Sequence, residues 1–440
     1  MSPAAGHLLP TVARIVSRGT ADRPRGLHEE RGIERDVWVP AVSGHDPGVS
    51  QIDAPNLLHE SPVALPGRIA AAAGEMAGCG VGVYVIDIDG SCLIRLAGDD
   101  DAFPERVMAP VGVGPEIALE ALPALQQICT SRLPKSVAVP LIARDRAIGV
   151  LICERRPKGD LRPVADHAAL ALELTSGYTD VVHAVRRRKD IQPAAEIQQN
   201  LLPPRLAVLE GDELAGGVLP GYDVAGDFFD YAANPDGLWL CVADAMGKGN
   251  EAAALSSLAV GALRAARRGG ATLEQAAELV DETVAATGED VRFLTAIIAQ
   301  WHPATSTFQW IAAGHPPPLL IHADGSMEEL TGAGTHPLGI ADAERTFTTN
   351  RHRLRRGERL LLYSDGVTER KRTDGTLFGL DGLRSILRTG AASSAAEIVR
   401  TLHDVMLRAA DGTPQERRDA LLAGFDSGDP SVCSRYLPAT

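Results

Sequence analysis

The sequence predicts an α+β protein in two folded units, and three observations predict it. Strand-forming runs come in neighbouring pairs closed by turn signals, as in Ser136–Cys153 and Gly221–Ala243. Helix-forming stretches are grouped between and after these pairs. A helix-rich segment, Val164–Leu202, separates one set of strands from the other and stops at Pro203 and Pro204. At 440 residues, with 45% hydrophobic and 23% charged side chains, the chain is long enough for two sizeable cores. Aromatics are only 4%, so those cores are expected to be aliphatic and small.

Charge narrows the function classes. A formal net charge of −14 argues against a nucleic-acid surface, which needs clustered Lys and Arg. No run approaches the 18 apolar residues of a membrane span, and the N-terminus lacks the pattern of a signal peptide. The six cysteines (Cys79, Cys92, Cys129, Cys153, Cys241 and Cys433) form no CxxC pair, and several lie in apolar runs. Reduced structural thiols and a cytoplasmic location are expected, with neither membrane nor nucleic acid as partner.

Taken in order, residues 1–61 mix Pro, Gly, Arg and His without period and read as a low-order tail. Residues 62–180 read as an α/β domain. A helix is expected over Arg68–Met76, a strand over Val81–Gly90, and a hairpin over Ser136–Cys153 turning at Ala143–Arg146. Pro140, Leu141, Gly149 and Leu151 in that hairpin resemble the closing motif of GAF domains. That resemblance implies sensing of a small molecule, or dimerisation; a plain α/β spacer is the competing reading. Residues 181–204 read as a helical signalling linker, with a homodimer through paired linker helices as one expectation. Arg186–Lys189 is read as a solvated helix face, and Ile197, Leu201 and Leu202 as one apolar face.

Residues 205–425 carry the chemistry, ahead of a tail over 426–440. Asp227 and Asp230 lie in the strand-like run GDFFDY, and the apolar run LWLCVA delivers Asp244. If the two runs form a hairpin, Asp227 and Asp244 meet at one end, where two carboxylates repel unless a cation lies between them. A loop with Gly247, Lys248 and Gly249 follows, then a helix over Glu251–Arg268 and another over Thr272–Ala286 with Thr272 as cap. Read alone, that loop also suits an anion; Lys248 fits either a phosphate or a solvated turn. His315 sits in the proline corner Gly314–Pro318, where a structural role outweighs proton donation. The strand LLLY then brings a third carboxylate, Asp365, beside Gly366.

Seven blocks, GDFFDY, DAMGKG, FLTA, AGHPPPLL, PLGI, LLLYSDGVTE and FGLDGL, occur in one order over about 190 residues. Together they resemble the metal-dependent type 2C Ser/Thr protein phosphatases, in the bacterial sporulation-stage-II-E branch. The resemblance implies an α-β-β-α sandwich with two Mn²⁺ or Mg²⁺ ions at one end of the sheets. It implies Asp244 as the bridging ligand, Ala245 as a carbonyl ligand, and Asp227 and Asp365 as further metal ligands, the three aspartates being the catalytic set. It implies hydrolysis of a phosphoserine or phosphothreonine by a metal-bridging hydroxide, on a partner of the anti-sigma-factor-antagonist type, as in partner switching. Two positions depart from the pattern. Met246 replaces a small residue, and the closing Asp-Asp-x-Thr strand has no clean counterpart. Arg418–Leu422 is the nearest match, with Asp419, Asp426 and Asp429 as candidate substitutes, so the second ion site and the closing strand are in doubt. A pseudophosphatase that binds its partner without turnover is therefore the alternative.

Overall fold

The computed structural model describes residues 12–13, 57–209, 212–219, 226–247, 249–287, 292–340, 345–372, 374–389, 393–409 and 420–426. In the N-terminal unit, a seven-stranded sheet runs Arg106–Met108, Cys92–Ala97, Val81–Ile86, Arg146–Cys153, Glu116–Ala118, Gly112–Val113, with Val137–Ala143 also paired to Arg146–Cys153. The period of two decides which core each side chain enters. Val81, Val83 and Val85 pack on the helices Leu65–Ala77 and Arg162–Ser176, while Tyr84 and Ile86 join Leu125 and Cys129 on the other face.

The C-terminal unit has two sheets. One runs Phe228–Asn234, Gly237–Ala245, Leu294–His302, Thr307–Ala313, Gly334–Thr335, with Asn350–Arg353 paired to Thr307–Ala313. The other runs Met327–Glu329, Leu319–Ile321, Arg359–Tyr363, Ala420–Asp426, Asp212–Leu219, Leu206–Leu209, with Val12–Ala13 paired to Arg359–Tyr363. Alternation again fixes the layers. Leu320, Leu360 and Leu362 share a core with Val242, Ile297 and Trp310 of the first sheet. Their neighbours Leu319, Ile321, Leu361 and Tyr363 face the other way, against Leu383, Leu387, Val399 and Leu402 of the helices Gly379–Thr389 and Ala395–Ala409. The first sheet is covered by Asn250–Arg268 and Leu273–Ala285. Thr272 caps the latter helix, exchanging backbone and side-chain bonds with Gln275.

The linker differs from its expectation. It forms two short helices, Val181–Val185 and Pro193–Leu201, and the arginine run between them does not form a solvated helix face. Arg186 donates to the Ile148 carbonyl (3.2 Å), Arg187 pairs with Glu196, and Arg188 pairs with Asp87 and Asp89. These guanidinium forks tie the linker down onto the N-terminal unit and onto itself. In the second helix the buried face is Ala194, Ala195 and Gln198, whereas Ile197 is 41% exposed. The reason is that a polar side chain, Gln198, has a buried carbonyl to bond, as described below. Strand contacts close the junction between the units. Glu116 accepts the Leu206 amide (2.8 Å), Asp145 accepts that of Val208, and the Ser394 hydroxyl reaches Glu120.

The closing strand is present. Ala420–Asp426 pairs with Asp212–Leu219 and with Arg359–Tyr363, at the middle of its sheet. The doubt about it came from the motif; seven residues with Leu421, Leu422 and Phe425 among them are strand formers whatever the motif says.

Asp230, three residues after Asp227, proves structural: it is buried and pairs with Arg264 (2.7 Å) and Arg267 (3.0 Å) of the covering helix. Removing one side of a buried pair strands the other charge, so Asp230→Ala should lower unfolding free energy by about 3–5 kcal/mol in a denaturant titration. His403 supplies a second expectation. Burial, and then the charge of Arg205, push its pKa down to about 3. The folded state therefore takes up a proton less readily than the unfolded chain, and stability falls as pH drops below about 6.5. Between pH 6.5 and 5 the wild type should lose about 2 kcal/mol more than His403→Leu, read from paired denaturant curves at each pH.

Candidate metal centre

The hairpin expected from the sequence forms. Phe228 pairs with Ala243, so Asp227 and Asp244 flank one another at its open end. Asp244 lies on a central strand, opposite Thr295, and is 5% exposed; Asp227 is fully buried. The third carboxylate comes from the facing sheet, where Arg359–Tyr363 ends at Ser364 and a single helical turn, Asp365–Thr368, begins. Ser364 joins the two sheets by donating its hydroxyl to Asp227 Oδ2 (2.7 Å). A second support for Asp227 arrives from the linker: Gln198 Nε2 donates to its backbone carbonyl (2.6 Å).

Burial dominates the electrostatics. It pushes the Asp244 carboxyl up to about 7, a hydrogen bond from Asp227 opposes this, and the charges of Asp365 and Glu369 add to the rise. Asp365 is pushed up to about 6, first by burial and then by Glu369. Among the described residues, no group of three or more His, Cys, Asp or Glu side chains is arranged as a ready cation cage. The donor chemistry nonetheless fits a hard divalent ion. All the candidate ligands are oxygens, and Asp365 Oδ1 is buried with no hydrogen-bond partner.

The backbone is as tightly built. The Ala245 amide donates to the Gly226 carbonyl (3.2 Å), and a Cβ placed on Gly226 would stand 2.1 Å from the Ala245 oxygen. Gly247 and Gly249 take φ of +107° and +68°, which turns the strand sharply into the helix at Asn250. Lys248 lies outside the described residues, as do Asp419, Asp429 and Cys433. The Asp426 backbone is described, and its register removes it from the centre. Leu361 pairs with Gly424 and Leu362 with Ala423, so Ala420 is the end of the strand nearest Asp365. Asp426 lies six residues further along, about 20 Å away.

His315 is also placed. Its Nδ1 faces Thr295 Oγ1 (2.8 Å), and burial pushes its pKa down to about 3, so it stays neutral. Three contributors went unnoticed in the sequence. Glu369 follows Asp365 by four residues, a helical spacing that the sequence does carry. Ser364 and Gln198 leave no such signal, because their partner is 137 and 29 residues distant.

The geometry and the wider comparisons agree on the C-terminal unit. Residues 234–422 match the family described as Stage II sporulation protein E (SpoIIE). The chain is similar to Phosphoserine phosphatase RsbU of Bacillus subtilis, 26% identical over 225 residues, or 51% of this chain and 66% of that protein. It is similar to Protein IcfG of Synechocystis, 26% identical over 258 residues, or 52% of this chain and 40% of that protein. The chain thus spans less than two thirds of these relatives. Among solved structures it is similar to the SiaA-PP2C domain of Pseudomonas aeruginosa, with a TM-score of 0.45 and 20% identity, covering 54% of this chain and 94% of that one.

The close approach at Gly226 gives a test of the centre. Gly226→Ala should displace the Ala245 carbonyl and weaken Mn²⁺ binding by about tenfold or more in calorimetric titration, with the circular dichroism spectrum retained.

Proposed function

We propose that the C-terminal unit is a divalent-cation-dependent protein phosphatase, acting on a phosphoserine or phosphothreonine of a regulatory protein. The observation that carries this reading is that buried Asp227 and Asp244 flank one another at the open end of the hairpin, with the charge of Asp365, from the facing sheet, reaching Asp244. Asp227, Asp244 and Asp365, with the Ala245 carbonyl, would hold Mn²⁺ or Mg²⁺, and two ions would draw on Asp244 in common. When bound, the ions supply an acidified water and neutralise charge on the transferring phosphoryl group. The protein's own part is positional. Ser364 and Gln198 fix the orientation of Asp227, the central strand fixes Asp244, and the Asp365 turn brings an unpartnered oxygen to the same point. His315, held neutral by burial and bonded to Thr295, has a structural place beside the strand that bears Asp244.

Around this centre the proposal assigns residues 62–180 to a GAF-like sensory domain, 181–204 to the signalling linker, and 205–425 to an α-β-β-α sandwich phosphatase domain. The partner is a phosphoprotein of the anti-sigma-factor-antagonist type in the cytoplasm, supported by similarity to a relative named a phosphoserine phosphatase. No helix among the described residues is long and apolar enough to cross a membrane.

One observation favours a second reading, a pseudophosphatase that binds the partner without turnover. The closing strand is present, yet its described aspartate, Asp426, sits at the far end from Asp365. A phosphatase assay in Mn²⁺ against a seryl-phosphorylated antagonist protein and an aryl phosphate separates the two. Asp244→Asn should lower turnover on the order of a hundredfold or more. Equal background rates in wild type and variant would leave only the binding module.

A further inference from the structure

A cavity of about 320 Å³ lies where the two units and the linker meet, bounded by Ile148 and Ser176 on one side and Asn200 and Pro204 on the other. That volume is at the small end of ligand sites. Four arginines line it: Arg146, Arg186, Arg187 and Arg205. Arg146 pairs with Glu116 (3.0 Å) and Glu173 (2.7 Å), and Arg187 with Glu196.

Arg205 is different. It is 5% exposed, and its side-chain hydrogen bonds among the described residues go to neutral oxygens, the Pro203 carbonyl (2.7 Å) and Gln199 Oε1 (2.7 Å). Its guanidinium lies over the Phe229 ring, 5.7 Å from the centroid. Burial pushes its pKa down to about 10, with the charge of Arg186 acting in the same direction and Glu116 opposing it. Buried charges in proteins are normally paired, because desolvating a lone ion costs several kcal/mol. Here the acid closest in influence, Glu116, is already shared between Arg146 and the Leu206 amide.

We propose that this cavity is a binding site for a small anion bearing phosphate or carboxylate groups, with Arg205 as its counter-charge. Guanidinium forks recognise either group through paired N–H donors. The site adjoins the acidic centre. Gln199, which holds Arg205, sits next to Gln198, which holds the Asp227 carbonyl, on one nine-residue helix.

Binding is measured on the full chain in EDTA at constant ionic strength, so that the result stands whether or not the acidic centre turns over a phosphoprotein. Calorimetric titrations use pyrophosphate and citrate as probes, over a chloride background. One or both should bind one to one and raise Tm; pyrophosphate alone marks a phosphorylated ligand, and citrate alone a polycarboxylate. Arg205→Gln should abolish the heat. Asn200→Asp, on an exposed lining position that folding tolerates, places a competing carboxylate in the cavity and should weaken binding about tenfold. The proposal is overturned if neither probe binds above the chloride background. It is equally overturned if binding is the same in wild type, Arg205→Gln and Asn200→Asp.

Discussion

Two buried carboxylates, Asp227 and Asp244, with the half-buried Asp365 and the exposed Glu369 acting on Asp244, constrain this molecule more than any other feature. Each would rather be in water, and the mutual repulsion of Asp244, Asp365 and Glu369 adds to the cost. The fold meets that cost with rigid surroundings: a hairpin register that admits no slip, a serine hydroxyl from the opposite sheet, and a glycine where no Cβ fits. Slipping the hairpin by one residue would turn Phe228 and Phe229 onto the wrong faces. The aliphatic core between the sheets is thus what holds the acids in place.

The same logic explains why the linker contains polar residues on its buried face. A helix packed against the back of Asp227 meets its buried carbonyl, and Gln198 donates to it. The cost of an orphaned carbonyl is of order 1–3 kcal/mol, comparable to the roughly 1.5–3 kcal/mol that burying Ile197 would contribute. One consequence is that the linker touches the acidic centre directly, with no intervening layer. The arginine run that precedes it is bonded down to the N-terminal unit, so a short chain of polar contacts runs from that unit to the acidic centre.

Much of this was legible in the sequence, and the remainder was hidden for identifiable reasons. The strands with alternating burial, the helix capped by Thr272, and the meeting of Asp227 with Asp244 all follow from local pattern, because the turn and its flanking strands are contiguous. The arrival of Asp365 could be anticipated only from the repeated grammar of an apolar strand ending in Asp and Gly. The fate of Arg186–Lys189 could not, since a basic run looks the same whether its partners are water or distant acids such as Asp87. The face of the second linker helix was read correctly for Leu202, which is buried, and Leu201, which packs against the core, but not for Ile197, for a related reason. Hydrophobicity assigns Ile197 inward, and only the position of a carbonyl 30 residues on reverses it. The chemical role of the closing strand is the least legible, because the residue before Ala420 is outside the described residues.

The strand Ala420–Asp426 sits between Arg359–Tyr363 and Asp212–Leu219, at the middle of its sheet. During synthesis the ribosome delivers it some 200 residues after its partner Asp212–Leu219. The N-terminal unit, closed by residue 176, can fold while the ribosome is still at work. The second sheet of the C-terminal unit must wait as two separated halves with unpaired inner edges until the last strand inserts. The order of emergence therefore makes the junction with Arg205 form early and the acidic centre late. Newly made chains pass through a stage in which the N-terminal unit is complete and the two facing sheets of the C-terminal unit are not.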